Sequence, residues 1–147
     1  LGLNPTEYFL GIDYGASRTG LAIGNTFLKI AQPLEMIAIK DDSQKISKIK
    51  EIVVKWHINK IVLGIPTLQK HSNSSQSIIK RIEDFANNLK HALNLEIIMT
   101  NEDFSSYEAA QILHSQDISG YKQKMFLDSM AACVILQQYF DEGTYRK

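Results

Sequence analysis

Three acidic residues, far apart in the chain, stand where a carboxylate could do chemistry. Asp13 closes the apolar segment Tyr8 to Asp13 (YFLGID). Glu102, with Asp103 beside it, follows a second β-prone segment. Asp128 borders an apolar face, with Leu127 before it and Met130-Ala131-Ala132 after it. An unpaired carboxylate is costly to bury in such surroundings. A divalent cation shared by the three would remove that cost, and oxygen-only ligands suit Mg2+ or Mn2+ rather than zinc. The chemistry open to such a set is that of a carboxylate-held ion, which can polarise an oxygen bound to it. Each acid alone has an ordinary reading. Asp13 reads as a turn or capping residue, Asp128 as an early-helix residue favoured by the helix dipole, and Glu102 as plain surface. The metal site is an expectation about the set.

Other chemistry-bearing residues form no comparable set. Gly15-Ala16-Ser17-Arg18-Thr19-Gly20 is a small-residue turn in which Arg18 could meet a phosphate, or which could be a plain hairpin loop. Lys70, His71 and Asn73 fall on a polar stretch after Pro66 and could meet a nucleic-acid backbone, or could be a solvated loop. His57, His91 and His114 fall on helices with no second ligand at useful spacing and read as surface. Cys133, among apolar residues, reads as a buried and inert thiol. Ser17, Ser105 and Ser106 lack a histidine and acid to activate them, which argues against a serine hydrolase.

The elements that must position these residues follow from periodicity. Strands are predicted over Tyr8 to Asp13, Thr19 to Gly24 and Phe27 to Ile39, with a tight turn at Gly24-Asn25-Thr26. Ile46, Ile49, Ile52, Val53 and Trp56 recur at helical spacing within Asp41 to Ile58, with Asp42 or Ser43 as N-cap. Lys60 to Pro66 (KIVLGIP) reads as a buried strand. Thr67 to Ser75 reads as a loop, Ser77 to Leu93 as an amphipathic helix, and Glu96 to Thr100 as a fifth strand. Ser105 and Glu108 have capping-box spacing for a short helix to His114. Gln116 to Gln123 reads as a connector and Lys124 to Asp141 as the last helix. An antiparallel trio followed by βαβ units predicts one mixed sheet with helices on its faces, since parallel neighbours need crossovers. Polar groups past strand ends then collect at one edge.

Composition sets the outer limits. The 147 residues suit one domain, taken as 1–147 with 1–7 as an N-terminal tail, and 44% hydrophobic with 22% charged residues is globular usage. No apolar run approaches the roughly 18–20 residues that span a bilayer. Leu1 to Glu7 has neither the basic start nor the apolar stretch of a signal peptide, and one cysteine fits a reducing cytoplasm. Sixteen basic and sixteen acidic residues cancel, so any nucleic acid must be held by a local patch rather than by an overall field.

The blocks FLGIDYGASRTGLAIGN, AQPLEMI, KIVLGIP, TNEDFSSYEAAQIL and LDSMAACVILQQYF resemble, in order, those of the YqgF (RuvX) family, over nearly the whole chain from Phe9 to Phe140. The resemblance implies an RNase H-like α/β fold, a five-stranded mixed sheet with helices on both faces, and a metal-dependent nuclease. It implies the 5′ end of pre-16S ribosomal RNA as substrate, with a four-way DNA junction as the alternative. By residue, it implies that Asp13, Glu102 and Asp128 are the catalytic and metal-holding acids and that Arg18 is the basic residue of the first hairpin. The family's Asp-Glu-Arg motif reads Asn101-Glu102-Asp103 here, its following Thr pair reads Ser105-Ser106, and the loop Thr67 to Ser75 lacks the family's glycine. Lys70, Ser105 and Ser106 are thus the further candidates for substrate contact. Two other classes stand beside the nuclease. One is a non-catalytic nucleic-acid or ribosome-assembly factor; the other is a phosphotransferase like the sugar kinases, which shares the strand-one Asp and glycine turn but needs two such domains.

Overall fold

The computed structural model describes residues 5–66, 73–102 and 120–143. Five strands, β1 (Tyr8–Asp13), β2 (Thr19–Asn25), β3 (Gln32–Ile37), β4 (Lys60–Pro66) and β5 (Glu96–Glu102), form one sheet in the order β3-β2-β1-β4-β5. β1 pairs antiparallel with β2, and β2 with β3. β1 pairs parallel with β4, and β4 with β5. Three helices, α1 (Asp42–Trp56), α2 (Asn73–Leu93) and α3 (Gly120–Gly143), complete the described elements.

Alternation along the strands divides the interior in two. Leu10, Ile12, Leu21, Ile61 and Leu63 face α1 and α2, where Ile49, Ile52, Ile82, Phe85 and Leu89 cover them. Phe9, Ala22 and Val62 face the other way, against Ala132, Cys133, Ile135, Leu136 and Phe140 of α3. The expected mixed sheet with a helix layer on each face is therefore the observed architecture.

Element boundaries differ from expectation in several places. β3 begins at Gln32 rather than Phe27, because the Asn25 side chain accepts hydrogen bonds from the backbone N–H groups of Phe27 and Leu28 (3.0 and 2.8 Å) and curls the chain there. The predicted tight turn at Gly24-Asn25-Thr26 is thus a longer one, with Lys29 left-handed at φ 56°. The N-cap of α1 is Asp41, whose carboxylate accepts from Gln44 N–H at 3.0 Å, not Asp42 or Ser43. α2 starts at Asn73, inside the predicted loop. β5 runs on to Glu102, and α3 starts at Gly120, so part of the predicted connector is helical. The short helix predicted from Ser105 to His114 lies outside the described residues.

Candidate active site

Because β1, β4 and β5 are parallel, their carboxyl ends share one edge of the sheet. Asp13 ends β1, paired with Gly20 of β2, and is half-buried. The β1–β4 ladder runs through Ile12 and Leu63, so its next step sets Gly64 beside Asp13, and Gly64 pairs with Thr100 of β5. Glu102, paired with Pro66, ends β5 two residues further on, about 7 Å along the strand direction. It is the last residue of its strand, not a residue beyond it.

The third acid is brought in by α3. Gly11 is the close-approach point: a Cβ built there would lie 2.8 Å from Leu136 Cβ and 3.0 Å from the Ala132 carbonyl oxygen. Only glycine lets the helix come down so near the strand. Toward the start of β1, the Phe9 ring meets Phe140 edge to face, with centroids 5.6 Å apart. Residue numbers in α3 therefore fall as those in β1 rise, and the helix runs antiparallel to the strand. From Ala132 back to Asp128 is about 6 Å of helix, and from Gly11 on to Asp13 is about 6.6 Å of strand. The Asp128 backbone thus comes level with Asp13, on the α3 side of the sheet, to which alternation also assigns Asp13. Asp128 lies eight residues into α3, beyond the first turn in which a helix dipole acts, so the dipole reading of this residue falls away. Among the described residues no three His, Cys, Asp or Glu side chains gather as a metal group. Strand register and helix docking set the backbones of Asp13, Glu102 and Asp128 toward one edge of the sheet.

The turn after Asp13 is held from beneath by residues that periodicity did not single out. A Cβ on Gly15 would run into the Arg18 carbonyl oxygen, so the chain folds back on itself here as only glycine allows. The fully buried Thr19 hydroxyl accepts from Gly15 N–H at 3.3 Å and donates to the Gly15 carbonyl at 3.1 Å. Lys45 of α1 has 0% exposure, and its ammonium donates to the Ala16 carbonyl at 3.1 Å and to Asp42 Oδ1 at 3.0 Å. It also lies 4.4 Å from the centroid of the Tyr14 ring. The Tyr14 hydroxyl donates to both Asp42 oxygens, at 2.8 and 3.0 Å, and Arg81 of α2 approaches Asp42 at 3.6 Å. Burial pushes the Asp42 carboxyl up, but the Lys45 ammonium, the Tyr14 hydroxyl and Arg81 outweigh it and hold it below the ordinary carboxylate range. Burial, then the hydrogen bond to Asp42, push the Tyr14 hydroxyl up to about 12. The Asp42 carboxylate is thus shared beneath the turn by Lys45, Tyr14 and Arg81. Ala16, Ser17 and Arg18 remain exposed on top of it.

The other candidates separate. Lys70, Ser105 and Ser106, with His71 and His114, lie outside the described residues. Asn73, read as a loop residue, is in α2. His57 is exposed and left-handed (φ 55°) at the end of α1, and His91 is exposed on α2. Cys133 is buried in the α3 core, and that burial raises its thiol to about 11, which keeps it protonated and unreactive at neutral pH. An apolar pocket of about 410 Å³, lined in part by Tyr8, Leu28, Ile30 and Trp56, opens at the opposite edge of the sheet and touches none of the three acids.

A five-stranded mixed sheet in this order, covered by helices on both faces, is an RNase H-like α/β fold. Solved structures agree on the fold. RuvC of Thermus thermophilus, in complex with a Holliday junction substrate, superposes with a TM-score of 0.59 at 10% identity, over 95% of this chain and 96% of that one. The Fowlpox virus Holliday junction resolvase gives 0.54 at 12% identity, over 92% and 99%. In sequence, a protein of Methylobacillus flagellatus named "Putative pre-16S rRNA nuclease" is 36% identical over 90% of this chain and 89% of its own length. One of the same name from Dictyoglomus turgidum is 35% identical over 90% and 92%. Residues 7–142 match the family RuvX, described as Holliday junction resolvase, and the chain belongs to that family. It is an enzyme of the nuclease class, with nucleic acid as its substrate.

Proposed function

We propose that this nuclease is metal-dependent, hydrolyses phosphodiester bonds in structured RNA, and processes the 5′ end of pre-16S ribosomal RNA. The observation that carries the reading is the docking of α3 on Gly11, which brings Asp128 level with Asp13 at the edge where β5 ends in Glu102. The donor set fits a hard divalent cation, since all three residues offer carboxylate oxygen and no nitrogen or sulfur ligand is among them. Asp13, Glu102 and Asp128 would hold Mg2+ or Mn2+, and the bound ion supplies a water of lowered pKa and neutralises charge on the phosphate. Arg18, exposed on the turn next to Asp13, meets the substrate backbone, and Lys70, Ser105 and Ser106 are the further residues assigned to substrate. The names of the 35–36% identical relatives support RNA as the substrate. The family description supports a four-way DNA junction as the second reading.

The test is cleavage of a pre-16S rRNA fragment and of a synthetic four-way junction, each with Mg2+, with Mn2+ and with EDTA. The expected outcome is metal-dependent cleavage of the RNA, reduced at least about 100-fold in kcat by Asp13→Asn. Cleavage of the junction alone overturns the substrate. Cleavage that survives EDTA or Asp13→Asn overturns the metal centre.

A further inference from the structure

We propose that Lys45 is a positioning residue for phosphate binding: from inside the fold it fixes the turn at residues 15–18 so that Arg18 is presented beside Asp13. This rests on the reading of Arg18 as a substrate contact. Lys45 cannot touch substrate itself, because its side chain is wholly enclosed. Its ammonium is spent on three partners from three parts of the chain: the Ala16 carbonyl in the turn, the Asp42 carboxylate on its own helix, and the face of the Tyr14 ring at the end of β1. The Tyr14 ring in turn packs on Phe85 of α2, with centroids 4.7 Å apart, and its hydroxyl returns to Asp42. The turn is thus tied to both helices of that face through one cation. Only Ser17 separates its anchored carbonyl from Arg18, and the Gly15–Arg18 approach leaves the backbone there little room to shift.

An isolated buried ammonium is unfavourable, and an apolar side chain would fill the same volume without that cost. What an apolar side chain cannot do is bond the Ala16 carbonyl. The charge is therefore accounted for by the orientation of the turn rather than by packing. Loosening it leaves Arg18 chemically intact and misplaced, so substrate binding falls while the acids that hold the metal stay where β1, β5 and α3 put them.

The test measures affinity for a fluorescein-labelled stem-loop RNA in EDTA, where the metal plays no part, for wild type, Lys45→Met, Arg18→Ala and the double variant, over a range of salt. Arg18→Ala is expected to weaken binding about 10-fold and to lower the slope of log K against log salt by about 1, as the loss of one phosphate contact does. Lys45→Met is expected to do the same although Lys45 reaches no phosphate, and the double variant to bind no more weakly than Arg18→Ala within about 2-fold, since residues acting as one unit are not additive. With Mg2+ the change should appear in KM and leave kcat within about 3-fold. Asp42→Asn keeps the volume and loosens the same ammonium, and is expected to weaken binding about 3-fold with the wild-type circular dichroism spectrum, so a Lys45 variant that fails to fold does not end the test. An unchanged salt slope in Lys45→Met or in folded Asp42→Asn, or losses that multiply in the double variant, overturns the proposal. Failure of the metal centre would show separately, as cleavage by Asp13→Asn, and would leave these affinities readable.

Discussion

The two turns that flank β2 are built in opposite ways. The turn between β1 and β2, next to Asp13, is tied down by a buried threonine, a buried lysine and a carboxylate shared by Tyr14, Lys45 and Arg81. The turn between β2 and β3, at the other edge, is shaped by its own Asn25 and by Gln137 of α3, which accepts from Ala31 N–H and donates to the Lys29 carbonyl, each at 2.9 Å. Its apolar side chains stand outside, with Phe27 80% exposed. Charge is buried under the first turn and not, among the described residues, under the second. Orienting a backbone from within by an ion costs desolvation, whereas local side-chain bonds are cheap. Among the described residues, the costlier device stands under the turn beside Asp13. The apolar pocket beside Tyr8, Leu28, Ile30 and Trp56 lies at the second edge.

The contrast can be broken most forcefully at Gly11. Gly11→Val would push against Leu136 Cβ and a backbone oxygen, so α3 must lift from the strand. The expected loss is about 3 kcal/mol of stability by chemical denaturation, with nuclease activity falling at least as far as for Asp13→Asn because Asp128 moves with the helix. Next comes Lys45→Ala, which removes the buried cation and leaves Asp42 its bonds to Tyr14 and Arg81. It should cost about 2–3 kcal/mol, below the full cost of breaking a buried pair, because Asp42 remains partly solvated and partnered.

Acid sharpens the same difference. The folded Asp42 pKa lies below its ordinary 3.8, so its contribution is complete above that value and is lost as pH falls through the folded pKa. Denaturant midpoints taken at pH 6 and pH 3 should therefore drop further in the wild type than in Asp42→Asn. The smallest effect is expected at the second edge. Phe27→Ser should change stability by no more than about 0.5 kcal/mol and leave RNA cleavage as in the wild type. A tenfold loss of cleavage there would show that the two edges are not divided as described.

Much of this organisation was legible in the sequence, for reasons particular residues make plain. β1, β4 and β5 are short apolar runs, and the helical spacing of Ile82, Phe85 and Leu89 marks α2 because burial alone sets those positions. The start of β3 is hidden from periodicity because an edge strand with exposed Gln32, Pro33 and Glu35 carries little hydrophobic signal, and a side-chain turn at Asn25 decides where it begins. The start of α3 is equally hidden because Gly120-Tyr121-Lys122-Gln123 has no apolar stripe. The acids could be named, since each ends or borders an apolar element. Lys45 could not: a lysine in a helix that also carries Lys48 and Lys50 reads as solvated, and only the return of Tyr14 and Ala16 onto it, from another part of the chain, shows that it is buried.

The most direct test of the metal centre is a crystal grown with Mn2+ and measured by anomalous diffraction at the manganese edge. A manganese peak is expected in direct contact with the carboxylates of Asp13, Glu102 and Asp128, absent from crystals of Asp13→Asn. Manganese bound elsewhere with Asp13 out of contact, or an unchanged peak in the variant, would contradict it.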